Sequence, residues 1–132
     1  MSKYMTFDSQ SFPNRDLLLE ALAECGFESP TGGTDIPLEG WDKRNPQTAD
    51  IVIGRRDVKG RPLLGDIGFQ KTSKGYVAII DDMDLNYRLG KDFVIRLQNS
   101  YHEAAARKMA KKLGGTLIKE QIGKTIKIRV KF

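Results

Sequence analysis

Apolar and polar residues alternate along Lys124–Phe132, the last nine positions of the chain. Ile126, Ile128, Val130 and Phe132 fall on one side; Thr125, Lys127, Arg129 and Lys131 fall on the other. A period of two marks a strand with one wet face. "TLIKEQI" reads as the strand before it, joined through Gly123-Lys124. Further upstream the period lengthens. In "DFVIRLQNSYHEAAARKMAKKLGG", Val94, Leu97, Tyr101, Ala105, Met109 and Leu113 recur every three or four residues. That spacing predicts a helix with one buried stripe, with Asp92 as N-cap and Gly114 as stop. "SFPNRDLLLEALAECG" predicts a shorter helix. Leu18, Leu22 and Cys25 share its buried face, Ser11 or Asn14 caps it, and Gly26 ends it. Tyr4–Phe7 reads as a short first strand. "ADIVIGRRD", "LLGDIGFQK" and "GYVAIID" read as three more, joined by "VKGRP" and "TSKG". Turns this short imply antiparallel pairing. Ile51, Val52 and Ile53 are apolar on both faces, which places their strand inside the sheet.

The predicted order is β-α-β-β-β-α-β-β. Clustered hairpins with two amphipathic helices predict an α+β fold, a two-layer sandwich. Its mainly antiparallel sheet has about five to six strands, with both helices on one face. The opposite face then meets water, and Lys127, Arg129 and Lys131 suit that exposure. Residues 28–48, rich in Pro, Gly and polar side chains, form a long loop, with a short strand near Trp41 as its one candidate element. Neither flank is long enough to fold alone, so residues 1–132 read as a single domain.

Composition adds bounds. The apolar share is 39% and the charged share 30%, ordinary for a globular chain. No run approaches the ~18 apolar residues of a membrane span. "MSKYMTFDSQ" has no apolar run after its lysine and does not read as a signal peptide. Cys25 is the single cysteine, so no internal disulfide forms, which favours the cytoplasm. A net charge of +5 permits a polyanionic partner without demanding one, and the lysines are densest after Arg107.

Several short motifs fall short of a chemistry. "IGKT" at Ile122–Thr125 resembles the end of a phosphate-binding loop, but Ile118 stands where that loop needs glycine, and a strand follows instead of a helix. "DDMDLN" hints at a calcium loop, yet Tyr87 and Phe93 occupy its glycine and glutamate positions. "KGYVAII" carries the basic-Gly-aromatic opening of an RNA-stacking strand at Lys74, Gly75 and Tyr76. Val77 and Ala78 follow, so the second stacking ring is missing. His102 has no partner at metal-ligand spacing, and Cys25 sits on an apolar stripe. No catalytic, cofactor or metal residues are assigned. The cations Arg107, Lys108, Lys111 and Lys112 complement the negative end of the long helix. Because the last strand turns its apolar side to the helices, its basic side is expected to stay separate from that cluster.

"MSKYMTF", the leucine-rich helix ending "ECGF", "LEGW", "ADIVI", "DIGF", "GYVAIIDD" and the Tyr101 helix occur in a set order, closed by the alternating strand. Together they resemble the uncharacterised family typified by chloroplast conserved open reading frame thirty-five, with plastid, cyanobacterial and cyanophage members. The resemblance implies no catalytic residues. It implies a soluble bacterial, plastid-stroma or phage-infected host compartment. The chain departs from that pattern at Ser2-Lys3-Tyr4, where members often carry Ser-His-Phe, and at Phe132, where many continue to a tryptophan.

The expectation is a small non-catalytic binding or accessory protein acting on another protein, not an enzyme, with Trp41 as candidate contact. The alternative is single-stranded nucleic-acid binding through Lys74, Tyr76, Lys127, Arg129 and Lys131. An enzyme of unidentified class stands third. No cofactor and no membrane association is expected.

Overall fold

A computed structural model describes residues 2–41 and 43–132; Met1 and Asp42 of the expected domain and loop lie outside it. The chain runs β1 (Tyr4–Phe12), α1 (Arg15–Glu24), β2 (Thr31–Pro37), β3 (Thr48–Ile53), β4 (Ile67–Thr72), β5 (Gly75–Asp81), α2 (Asp82–Asp84), a π-helical turn (Leu85–Leu89), α3 (Phe93–Lys112), β6 (Thr116–Ile122) and β7 (Thr125–Lys131). Five strands form an antiparallel sheet in the order β1-β5-β4-β3-β2. The α+β class and the antiparallel sheet are as expected.

The helices form where periodicity places them; Asp92 stands at the start of α3 as expected, but its side chain makes no capping hydrogen bond and accepts from Arg96 instead. Asn14, rather than Ser11, caps α1: its Oδ1 accepts the Leu17 N–H at 3.0 Å. Gly26 and Gly114 follow the two long helices with φ of 95° and 78°. Leu18 and Leu22 from α1, with Val94, Leu97 and Tyr101 from α3, are buried with Ile51, Ile53, Ile67, Phe69, Ala78 and Ile80 of the sheet in one core. Phe12 sits at the junction, edge-on to Phe69 and Tyr101 at centroid distances of 6.1 and 5.3 Å. The Tyr101 hydroxyl accepts the Asn14 N–H at 2.9 Å, tying α3 to the start of α1. Tyr101→Phe leaves that part-buried donor without its acceptor, and the expected loss of about 1–2 kcal/mol is read by urea unfolding.

The structure departs from the expected pattern in five places. First, the 28–48 stretch is not all loop: β2 lies at Thr31–Pro37, and no strand forms at Trp41. β2 is an edge strand, exposed along most of its length, so it shows no apolar alternation. Its register against β3 shifts between Gly32 and Ile36, and the Asp50 carboxylate there accepts N–H groups of Asp35 and Lys71 at 3.1 and 2.7 Å. Second, β1 continues to Phe12 across a register shift between Thr6 and Ser11.

Third, β6 and β7 do not join the main sheet; they pair only with each other. Lys127, Arg129 and Lys131 therefore do not line its uncovered face. Fourth, that face is apolar at its centre instead of basic: Leu38, Ala49, Val52 and Ile79 make a second, smaller buried cluster there, with Tyr4 and Ile36 packed against it. Fifth, the apolar stripe of α3 leaves the core. Met109 and Leu113 are 56% and 59% exposed. A helix of 20 residues is roughly 30 Å long, whereas strands of six or seven residues span about 20 Å. The last α3 residues in the main core are Ala104 and, part-buried, Ala105; Met109 and Leu113 lie past them.

Candidate functional site

The end of α3 and the β6–β7 hairpin, which folds back along α3 as far as Asn99, form one C-terminal arm. A side chain at Gly115, the first residue past the helix turn, would meet Val130, the Lys131 carbonyl and Phe132, so the base of the hairpin abuts the helix end. The pairing puts Leu117, Lys119, Ile126, Ile128 and Val130 on one face. That face looks toward α3: Lys119 Nζ meets Glu103 at 3.0 Å, and Ile126 and Ile128 line a recess with Asn99, His102 and Glu103. The other face carries Lys127, Arg129 and Lys131, with Arg129 held by Glu120 at 3.0 Å. The alternation thus sorts the side chains as expected, but toward one helix instead of a sheet. One helix covers little. Ile126 and Ile128 stay exposed, Ile122 near the tip is 62% exposed and Phe132 is 79% exposed.

Charge is segregated in the same way. Residues 107–132 hold nine of the 22 Lys and Arg but one of the 17 Asp and Glu, so the arm carries +8 and the remaining chain −3. Arg107 is spent on Glu20 and Glu103, at 3.4 and 3.2 Å. Lys108, Lys111, Lys112, Lys124, Lys127 and Lys131 have no ion pair among the described residues. The helix-end and strand cations, expected to stay apart, share one arm because the hairpin folds back on the helix that precedes it.

The other expected contacts are scattered. Trp41 is 66% exposed beside Glu39, Gly40, Lys43, Arg55 and Leu64, so it is not a core residue covering the sheet. Lys74 is exposed at the β4–β5 turn. Tyr76 is buried in the main core and cannot stack on a base, which removes the aromatic from the nucleic-acid alternative. The glycine of that near-motif has a structural cause. Gly75 has φ of 123°, and a side chain there would lie 2.8 Å from the Pro13 backbone.

The acidic stretch is committed to holding loops. Asp81 Oδ1 accepts the Met83 and Asp84 N–H groups. Asp84 accepts those of Leu64 and Gly65 at 2.9 and 3.0 Å. Asp66 accepts those of Glu39 and Arg55, both at 2.8 Å. Tyr4 donates to the Asp66 and Glu39 carbonyls. Burial, and the negative charges of Asp66, Asp81 and Asp84, push the Tyr4 hydroxyl far above its ordinary range. Burial likewise raises Asp84 above the usual carboxylate value, against the pull of its two N–H donors. Asp84 is turned to the Leu64 and Gly65 backbone, and Tyr87 and Phe93 stand where the loop needs glycine and glutamate, so the stretch does not read as a cation loop. Among the described residues no group of three or more His, Cys, Asp and Glu is placed to hold a metal ion. Cys25 faces Ser100 Oγ at 3.8 Å and lines a different cavity from His102, so the two are not paired. No described helix is long and apolar enough to cross a membrane.

Compared with known proteins, residues 21–130 match the model of the family described as protein of unknown function (DUF1257). No curated protein and no solved structure matches.

Proposed function

The chain belongs to the DUF1257 family, and from that premise we propose that it is a small non-catalytic binding protein whose C-terminal arm docks on an acidic surface of another protein. The observation that carries this reading is the composition of the arm: exposed Met109, Leu113, Ile122, Ile126 and Phe132 set among six unpaired lysines. An apolar centre with a charged rim is the anatomy of a protein interface. Nucleic acid would use the lysines and the exposed Phe132 ring, but has little use for the four aliphatic side chains. A second copy meeting the arm head-on would oppose +8 with +8. Exposed Trp41 supplies a second contact on the body. We also read the family as the one typified by chloroplast conserved open reading frame thirty-five, acting in a bacterial, plastid or phage-infected compartment.

The test is affinity capture from nuclease-treated host extract, followed by rebinding of the purified captured protein. Lys127→Glu with Lys131→Glu, and separately Met109→Ser with Leu113→Ser, should each weaken rebinding at least tenfold. Unchanged rebinding by both pairs overturns the reading. So does tight binding of a single-stranded oligonucleotide at ~50 mM salt that falls steeply as salt is added.

A further inference from the structure

On the side of the body where α1 ends, three segments enclose an open cleft of about 440 Å³. Phe27 comes from the chain leaving α1; Val58, Lys59, Arg61 and Leu63 come from the β3–β4 connection; Tyr87, Arg88 and Leu89 come from the π-helical turn. This volume lies within the roughly 300–1,000 Å³ of small-molecule sites. Among the described residues its lining carries three cations and no carboxylate, while Glu28 and Asp57 line the adjoining recess that shares Val58 and Lys59 with it. Lys59 and Arg61 have neither ion pair nor hydrogen-bonded side-chain partner among the described residues. Arg88 gives one nitrogen to the Pro62 carbonyl at 3.1 Å, which fixes it beside the cleft. Gly60, at φ of 89° with open space around it, reverses the chain between Lys59 and Arg61. The floor is apolar, from Phe27, Val58, Leu63 and Leu89, and the Tyr87 ring stands 76% exposed at its edge. A π-helical turn is rare and recurs at functional sites. Here it carries Tyr87 and Arg88 together.

We propose that this cleft binds a small organic phosphate bearing a planar ring, the chemistry of a mononucleotide. A dianion needs more than one counter-charge, and three cations line this cleft. Two are arginines, whose planar forks match phosphate oxygens. A ring laid on the apolar floor against Tyr87 removes both from water. A carboxylate would leave the cleft over-charged, and inorganic phosphate would leave its floor wet. The proposal is independent of the arm.

The test is titration of the full chain with AMP, adenosine and inorganic phosphate, followed by NMR. Alkylation of Cys25, the one thiol and a residue of the cleft wall, gives a second readout. AMP should saturate and slow alkylation, with adenosine and inorganic phosphate each at least tenfold weaker. Arg61→Gln, an exposed position, should weaken AMP severalfold, and Arg61→Gln with Arg88→Gln more than tenfold. Lys71→Gln, exposed on β4 and outside both the cleft and the arm, should leave AMP affinity unchanged. Absence of saturation at millimolar AMP overturns the proposal. Equal affinity for inorganic phosphate, or unchanged AMP affinity in the double variant with its fold intact, does so too.

Discussion

Phe12→Ala should lower the free energy of unfolding by about 4 kcal/mol, with a fall in melting midpoint on the order of 10–15 °C. Phe12 is fully buried and its ring meets Phe69 of β4 and Tyr101 of α3 edge-on. Removing it costs the transfer of a large apolar group, leaves a cavity where sheet and helix meet, and deletes two aromatic contacts. Domains of this size are stable by only about 5–15 kcal/mol, so the variant should be close to its limit at 37 °C. Phe132→Ala is the control. That ring is 79% exposed, and the change should stay within about 0.5 kcal/mol. Similar costs for the two variants would place Phe132 in a core that the fold does not give it.

Asp84→Ala should cost about 3 kcal/mol, because the Leu64 and Gly65 N–H groups both lose their acceptor. The loss reaches beyond α2, since those two amides belong to the connection that leads into β4. Asp84→Asn restores one acceptor and turns an amide N–H₂ toward the second donor, so it should recover only part of the loss. The pH dependence has a definite sign. The folded protein holds the Asp84 proton more tightly than the unfolded chain does, because burial raises it above the ordinary 3.8. Its favourable contribution is complete below that ordinary value and is lost as pH rises through the raised one. The penalty of Asp84→Asn relative to wild type should therefore shrink from acid toward neutral pH. A penalty that grows with pH would mean that the two N–H donors outweigh burial.

The elements with a repeating apolar face were legible in the sequence. Leu18 and Leu22 fix α1, Val94, Leu97 and Tyr101 fix α3, and the runs at 51–53 and 77–80 fix β3 and β5. What stayed hidden has physical causes. β2 leaves no such signal, because an edge strand exposed along most of its length has no alternation to read. The hairpin was assigned to the wrong neighbour because alternation tells which side chains share a face, not which layer they face. Met109 and Leu113 continue the α3 stripe, but periodicity does not record where the sheet beneath it ends. Asp84 looked like part of an acidic turn, and only the fold brings it to Leu64 and Gly65, about twenty residues upstream. The basic wall of the cleft did leave a trace: "RRDVKGR" places four cations in seven residues. Its other wall, Tyr87 and Arg88, carries no such signal and arrives through the π-helical turn.

Native-state hydrogen exchange tests most directly the claim that the chain is a closed body with a thinly covered arm. Isolated hairpins are marginal, and β6–β7 leans mainly on the single helix α3. Its amides should exchange through local opening, at least a hundredfold faster than those of β4 and β5 after correction for intrinsic rates. Amides of β6 and β7 protected as strongly as those of β5 would contradict the account, because they would place the hairpin inside the cooperative core.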